Sequence, residues 1–117
     1  MRNMSFSMTK EQIRNGTKTV TRRLGWKFLK PGDVVMACEK CQGLKKGEKV
    51  KKIRPIRVVS VNRECLVSMV EYKGEDVRRE GFPGKNEFWF IEKFCEANKC
   101  DWYAEITRIE FEYLEES

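Results

Sequence analysis

Residues 16–23 read Gly16-Thr17-Lys18-Thr19-Val20-Thr21-Arg22-Arg23, a glycine followed by threonines and basic residues around a single valine. In an extended strand, Lys18, Val20 and Arg22 would share one face, and Thr19, Thr21 and Arg23 would share the other. A turn or kink would instead let Lys18 and Thr21 approach each other. The segment therefore indicates either a cradle for an anion or nucleoside, or a solvated basic strand edge that discourages aggregation between sheets.

Length and composition predict a single domain over residues 1–117. The chain is 40% hydrophobic and 36% charged, which is typical of a globular domain with a heavily charged surface. The formal net charge of +6 favours a polyanionic partner such as RNA or DNA. Small basic proteins without such a partner are also common, so charge supports a class of partner and not a mechanism.

The sequence predicts a cytoplasmic protein with no membrane contact. No apolar run is long enough to span a membrane, and no apolar signal-peptide core follows the basic N-terminus. Five cysteines, an odd number, fit a reducing compartment better than a disulfide framework. There is no histidine, so acid–base chemistry has to use Glu, Asp, Lys, Cys or Tyr.

A short helix is predicted to deliver the 16–23 segment after a tight turn. Residues 4–8 alternate between apolar and polar types and indicate a strand. Thr9 and Gln12 have the spacing of a capping box for the following helix. Gly16 stands where a helix ends in the left-handed conformation.

Trp26 and the basic segment 39–57 are candidate contacts for a nucleic acid. Trp26 is either a stacking platform for a base or a packed aromatic, and its neighbours Phe28 and Leu29 favour packing. The segment 39–57 reads as a mobile basic hairpin or loop that contacts phosphates or is simply solvated. The residues proposed for ligand contact are Arg22, Arg23, Trp26, Lys45, Lys46, Lys51 and Lys52.

The remaining elements are strands over 34–38 and 56–61, helices over 71–80 and 86–98, and a strand over 102–114. Asn86 is the predicted cap of the second of these helices. Its predicted apolar stripe comprises Phe88, Ile91, Phe94 and Cys95. A change of phase near residues 107–108 indicates a β-bulge or bend, and residues 115–117 read as a frayed acidic tail.

The chain resembles the ASCH domain family of the PUA-like superfamily. The resemblance covers nearly the whole chain and is most specific at the lysine–threonine motif of residues 16–23. It is supported by residues 30–34 and 79–82, and by the aromatic helix followed by a closing strand. It implies an α+β fold, a small PUA-like β-barrel with flanking short helices, in agreement with the predicted order of elements.

The resemblance also implies a function. The family is associated with RNA binding, and some members hydrolyse N4-acetylcytidine with a lysine, a threonine and a glutamate. Lys18, Thr21 and Glu80 match the proton acceptor, the nucleophile and the proton donor. An amidase needs these three roles, and a lysine can be a base only if burial or neighbouring cations lower its pKa.

Several alternatives remain open at this stage. The protein is an amidohydrolase acting on N4-acetylcytidine, a non-catalytic module that binds RNA through residues 45–57, or a protein-interaction module. Glu80 alternatively pairs with Arg78 or Arg79 at the surface. If Lys18 is exposed or lines a pocket, Lys18→Met should keep the fold. The partner is predicted to be RNA or a nucleoside, and the oligomeric state stays open.

No cofactor or metal is predicted, although a zinc site is an alternative for the cysteines. Thiolates of Cys38, Cys41, Cys95 and Cys100 would make four ligands. Cys38 reads as a strand residue and Cys95 as a core residue, and free cysteines are often small buried apolar side chains.

Overall fold

The computed structural model of the protein describes residues 1–41 and 43–114. The predicted frayed tail at 115–117 lies outside the described residues. The elements, in chain order, are β1 (Arg2–Ser5), α1 (Lys10–Arg14), β2 (Val20–Arg23), β3 (Val34–Cys38), β4 (Lys52–Cys65), a 3-10 helix (Leu66–Tyr72), α2 (Glu75–Arg79), α3 (Glu87–Asn98) and β5 (Glu105–Tyr113). No helix among the described residues has the length and apolar character needed to cross a membrane.

The strands form one curled, mixed sheet in the order β1-β3-β4-β5-β2. β1 and β3 are parallel, and the other neighbours are antiparallel. The sheet is an open half-barrel, so the edge strands β1 and β2 face each other across its opening. Arg23 of β2 bridges that opening, because its Nη2 donates to the carbonyl oxygen of Ser5 in β1 at 2.7 Å. The α+β half-barrel with short helices confirms the predicted fold class.

Two apolar clusters pack on the sheet and share β5. Ile109 belongs to the cluster inside the half-barrel, with Phe6, Ile13 and Val58 among others. Ile106 belongs to the cluster beneath α3 and the 3-10 helix. Strand β5 is therefore covered on both faces, and Thr107 and Arg108 between these two residues are buried as well.

This two-sided burial explains why the predicted bulge at 107–108 was wrong. Thr107 and Arg108 pair in regular register with Arg63 and Asn62 of β4. The register shift lies in β4 itself, between Val58 and Ser60. The apparent change of phase in β5 reflects burial of both faces and not an extra residue.

Two other local predictions also need correction. Thr9 makes no side-chain cap, and Gln12 instead donates through Nε2 to the carbonyl oxygen of Gly81 at 3.1 Å. The helix predicted over 71–80 is split into the 3-10 helix and α2, with Gly74 between them at φ +84°. A long-range partner for Gln12 and a left-handed glycine decide these two outcomes.

Helix α3 begins at its predicted cap, but the set of apolar side chains that it buries differs from the predicted one. The Asn86 side chain accepts a hydrogen bond from the Trp89 amide at 2.9 Å, which confirms the cap. Phe90, Ile91 and Phe94 are buried, whereas Phe88 is 53% exposed and was wrongly assigned to the core. The buried face of α3 is the one that meets α2 and the 3-10 helix.

Candidate functional site

The site begins at the turn that follows α1. Gly16 ends this helix with φ +79°, as predicted, and the chain then enters β2. The Thr19 amide donates to the carbonyl oxygen of Arg79 at 2.8 Å, so the start of β2 is tied to the end of α2. Gly81 permits a further close approach, because a Cβ there would lie 2.9 Å from the Gln12 side chain. These contacts bring together Lys18 and Glu80, which are 62 residues apart in the sequence.

Lys18 and Glu80 form a buried ion pair. Lys18 Nζ donates to Glu80 Oε1 and to the Glu80 carbonyl oxygen, each at 2.7 Å. Arg22 Nη1 donates to Glu80 Oε2 at 3.1 Å. Lys18 is 3% exposed and Glu80 is 1% exposed. Arg78 and Arg79, the alternative partners of Glu80, pair with Glu75 and Glu110 instead.

The surroundings of Lys18 lower its pKa below the ordinary value of 10.5. Burial is the largest cause, while Glu80 acts in the opposite direction and raises the pKa. The charges of Arg23 and Arg22 add smaller downward contributions, as anticipated from their adjacency. A lowered pKa favours the neutral amine, which is the form of a lysine that can accept a proton.

A second buried carboxylate, Asp76, accepts a hydrogen bond from the guanidinium of Arg22. Asp76 of α2 accepts from Arg22 Nη2, and from Arg108 Nε and Nη2 at 2.7 and 2.9 Å. The Arg108 guanidinium also lies over the Tyr72 ring, with 4.7 Å to the centroid. The guanidinium of Arg22, predicted as a ligand contact, is thus engaged by Asp76 and Glu80.

The sequence does not single out Asp76 and Arg108. Asp76 stands in a polar helical segment that reads as solvated, and Arg108 stands in a strand where a charge normally faces water. The signal in the chain that points toward them is the abundance of basic residues near the 16–23 motif, which require carboxylate partners if they are buried.

Thr21 lies in the same cavity as the ion pair. A cavity of about 270 Å³ is lined by Lys18, Thr21, Arg23 and Glu80. We call it the catalytic cavity only after the roles that the sequence resemblance predicts for Lys18, Thr21 and Glu80. Thr21 is buried, and its Oγ1 accepts a hydrogen bond from Arg23 Nε at 3.1 Å. The cavity also has an aromatic wall, formed by Phe82, Trp89, Phe90 and Phe94.

This cavity has the chemistry of a site for a flat heterocycle. Phe82 and Trp89 meet edge to face with 5.0 Å between ring centroids. Such rings offer faces and edges on which a base can stack. The same cavity is lined by Lys18, Thr21 and Glu80, so a ligand stacked on the aromatic wall would lie beside these polar groups.

The proposed nucleic-acid contacts fall into separate places. Lys45, Lys46, Lys51 and Lys52 are exposed, and none of them lines the catalytic cavity. Of the predicted hairpin or loop over 39–57, residues 52–57 belong to β4, which pairs with β3 in an antiparallel hairpin. Trp26 packs against the half-barrel cluster, as favoured, but it also lines two cavities next to the catalytic one.

Four of the five cysteines lie as two separate pairs of neighbouring free thiols. Cys38 neighbours Cys41, and Cys95 neighbours Cys100. Burial, together with the neighbouring thiol, raises the pKa of Cys38 and of Cys95 to about 11. Among residues 1–41 and 43–114, no three His, Cys, Asp or Glu side chains cluster in a way that could hold a metal ion. The four thiols considered for zinc do not converge.

Three solved structures share the fold over almost the entire chain. They are protein EF3133 from Enterococcus faecalis, assigned to DUF984 (14% identity, TM-score 0.64, covering 97% of this chain and 76% of that one), the hypothetical protein PH0355 (17%, 0.64, 97% and 96%), and an ASCH domain from Lactobacillus crispatus (16%, 0.64, 96% and 78%). No protein-family model and no curated protein matches the chain. The chain has the fold of the ASCH domain, and at these identities the likeness speaks for the fold alone.

Proposed function

We propose that the protein recognises a modified nucleoside in the catalytic cavity and hydrolyses the acetyl amide of N4-acetylcytidine. The observation that carries this proposal is the convergence of Lys18, Thr21 and Glu80 on one cavity, with Lys18 and Glu80 in direct contact at 2.7 Å. The aromatic wall supports stacking of the cytosine ring. The resemblance of the sequence to the ASCH family assigns the three catalytic roles.

The Lys18–Glu80 hydrogen bond supplies a route for the first proton. Transfer of one proton from Lys18 Nζ to Glu80 leaves a neutral amine beside a carboxylic acid. The amine can then accept the proton of Thr21 Oγ1 while that oxygen attacks the acetyl carbonyl carbon. Arg23, which already donates to Oγ1, stabilises the negative charge that develops there.

The acid completes the exchange. Glu80 donates its proton to the amino nitrogen of cytosine as the amide bond breaks, so cytidine leaves and the acetyl group remains as an ester on Thr21. Lys18 now carries the threonine proton, and Glu80 is a carboxylate again. A water molecule then hydrolyses the ester, returning a proton to Oγ1 and releasing acetate and a proton. Atoms and charges balance over the cycle.

The direct test is incubation of the purified protein with N4-acetylcytidine and detection of cytidine by liquid chromatography. Wild type should release cytidine, and Lys18→Met should not, because the variant lacks the amine that is proposed to accept the proton of Thr21 Oγ1. The burial of Lys18 also corrects the expectation that this substitution leaves stability unchanged. It removes one partner of a buried carboxylate, so we expect a loss of up to about 3 kcal/mol in the free energy of unfolding. A Lys18→Met protein that is folded and fully active would remove the base assignment.

The exposed lysines favour a second function, RNA binding. Lys45, Lys46, Lys51 and Lys52 form no ion pair within the described part of the chain. Unpaired cations clustered on a surface release counterions from a nucleic acid when they contact its phosphates. If they do so here, the catalytic cavity acts on, or holds, a base within an RNA chain.

Replacing Lys45, Lys46, Lys51 and Lys52 together with glutamine should weaken RNA binding alike for many sequences. The salt dependence of the dissociation constant should also become flatter, by a slope of roughly 0.7 for each phosphate of single-stranded RNA that the variant no longer neutralises. Fluorescence anisotropy with labelled RNA at several salt concentrations measures both quantities. An unchanged affinity and slope would reduce these lysines to a solvated surface.

A further inference from the structure

Three cavities meet at Arg23. Besides the catalytic cavity, one of about 420 Å³ includes Arg2, Arg23 and Phe28. Another of about 370 Å³, which we call the basic cavity, is lined chiefly by Asn3, Ser5, Ser7, Arg23, Trp26 and Lys40. Ser5, Ser7 and Arg23 line both the basic and the catalytic cavity. The catalytic cavity and the basic cavity therefore adjoin each other at these three residues.

Arg23 differs from the other basic groups of the site. Lys18, Arg22 and Arg108 each form an ion pair with Glu80 or Asp76. Arg23 forms none with the described residues. Burial lowers its pKa to about 10, and the charge of Glu80, which is not in contact with it, only partly offsets that effect. A partly buried guanidinium without a directly paired carboxylate favours an anion from outside the chain.

The hydrogen bonds of Arg23 leave part of its guanidinium group available to bind a ligand. Nε donates to Thr21 Oγ1 at 3.1 Å, and Nη2 donates to the Ser5 carbonyl oxygen at 2.7 Å. Nη1 has no partner among the described residues. These two bonds fix the plane of the guanidinium, which further stacks on Phe6 with 4.7 Å to the ring centroid. A fixed fork with a free edge suits the oxygens of a phosphate.

The other residues that line the basic cavity also favour an anion. No carboxylate of residues 1–41 or 43–114 lines it, and Lys40, on an exposed stretch, adds a second cation. Asn3, Ser5 and Ser7 provide an amide and two hydroxyls that can donate to anionic oxygens. Trp26 gives one apolar wall. Cations and neutral donors without a competing acid make an anion site.

We propose that the basic cavity binds a phosphate group of a nucleotide whose base occupies the catalytic cavity. The preferred substrate is then a phosphorylated nucleoside, free or within RNA, and not the bare nucleoside. This inference rests on the proposed function for the placement of the base. Arg23 connects the two events, since the same guanidinium contacts the nucleophile and the phosphate.

The test compares the binding of cytidine with that of cytidine 5′- and 3′-monophosphate by isothermal titration calorimetry at low salt. We expect one monophosphate to bind at least about tenfold more tightly than cytidine, as one charge-assisted contact implies. Lys40→Gln removes the second cation of the basic cavity but leaves Arg23, so it should weaken this preference measurably. Lys10→Gln, the same change at an exposed residue outside the three cavities, should keep it. Equal affinities, no detectable binding, or a preference of the same size in Lys40→Gln as in wild type would overturn the proposal.

Further arms identify the source of the phosphate and separate the two proposals. If a dinucleotide binds more tightly than both monophosphates, the phosphate is a phosphodiester of RNA; otherwise it belongs to a free nucleotide. A preference for the monophosphate without hydrolysis of any acylated substrate would support the phosphate site and remove the proposed hydrolysis. Hydrolysis of N4-acetylcytidine and its monophosphates with equal kcat/KM, together with equal binding, would support the proposed hydrolysis and remove the phosphate site.

Discussion

Thr21→Val should lose at least about 1,000-fold in kcat on N4-acetylcytidine, while Thr21→Ser should keep a measurable part of the activity. Valine matches the shape of threonine but lacks the oxygen that would attack the acetyl carbon. Serine retains that oxygen, and its loss of the methyl group only loosens the position of Oγ in the buried site. Affinity for cytidine should change little in either variant, because Thr21 contributes reactivity more than contact area.

The matched control is Thr17→Val, the same change at an exposed threonine of the same segment. It should leave kcat and KM unchanged. Thr21→Val also removes the acceptor of the Arg23 Nε hydrogen bond, which costs about 1 kcal/mol of stability, so thermal unfolding should accompany the kinetics. A folded Thr21→Val protein with full activity would disprove the nucleophile assignment, and the site would then be a binding site for the nucleoside.

Asp76→Asn should lower the free energy of unfolding by about 3 to 5 kcal/mol at neutral pH. Asp76 is 1% exposed and is shared by Arg22 and Arg108. An asparagine of the same size removes the negative charge and leaves two guanidinium groups buried with less compensation. Urea unfolding followed by circular dichroism measures the loss, and Asp101→Asn at an exposed turn provides the control.

The effect should depend on pH in a defined direction. Burial by itself raises the pKa of Asp76, but hydrogen bonds and charges from Arg108 and Arg22 outweigh it, so the net pKa lies below 3.8. The carboxylate therefore stabilises the fold fully above its unfolded pKa, and this contribution is lost as the pH falls through the lower folded value. The difference in stability between wild type and Asp76→Asn should narrow below about pH 4. A difference that stays constant down to about pH 2 would show that the charge of Asp76 is not what stabilises the fold.

Asp76→Asn should also lower catalytic activity, because Asp76 positions Arg22. Arg22 pairs with both Asp76 and Glu80, so loss of the Asp76 carboxylate allows the guanidinium to move away from Glu80. Asp76 is a positioning residue in this account and touches no substrate. A fall in kcat at pH values where the variant is still folded would separate this role from global unfolding.

Much of the local structure follows from neighbouring residues and was predictable. Gly16 ends its helix with a positive φ, and the Asn86 side chain caps α3, because both features depend on residues one to three positions away. The α+β half-barrel agrees with the order of predicted strands and helices and with the resemblance to the ASCH family. The apolar residues at 34–38 also predicted β3 correctly, since a strand that packs on the core is rich in apolar residues.

Burial and partnership were decided by tertiary structure alone. Lys18 meets Glu80 across 62 residues, and Arg22 meets Asp76 across 54. Polar residues at such separations have no local signature, so the sequence leaves a surface ion pair and a buried one indistinguishable. The sequence thus determined which chemical groups the protein has and which elements they occupy. Only the packing of α2 against the curled sheet, which excludes water from these charges, determined that they form one buried network beside a cavity, because desolvation depends on everything packed around a group.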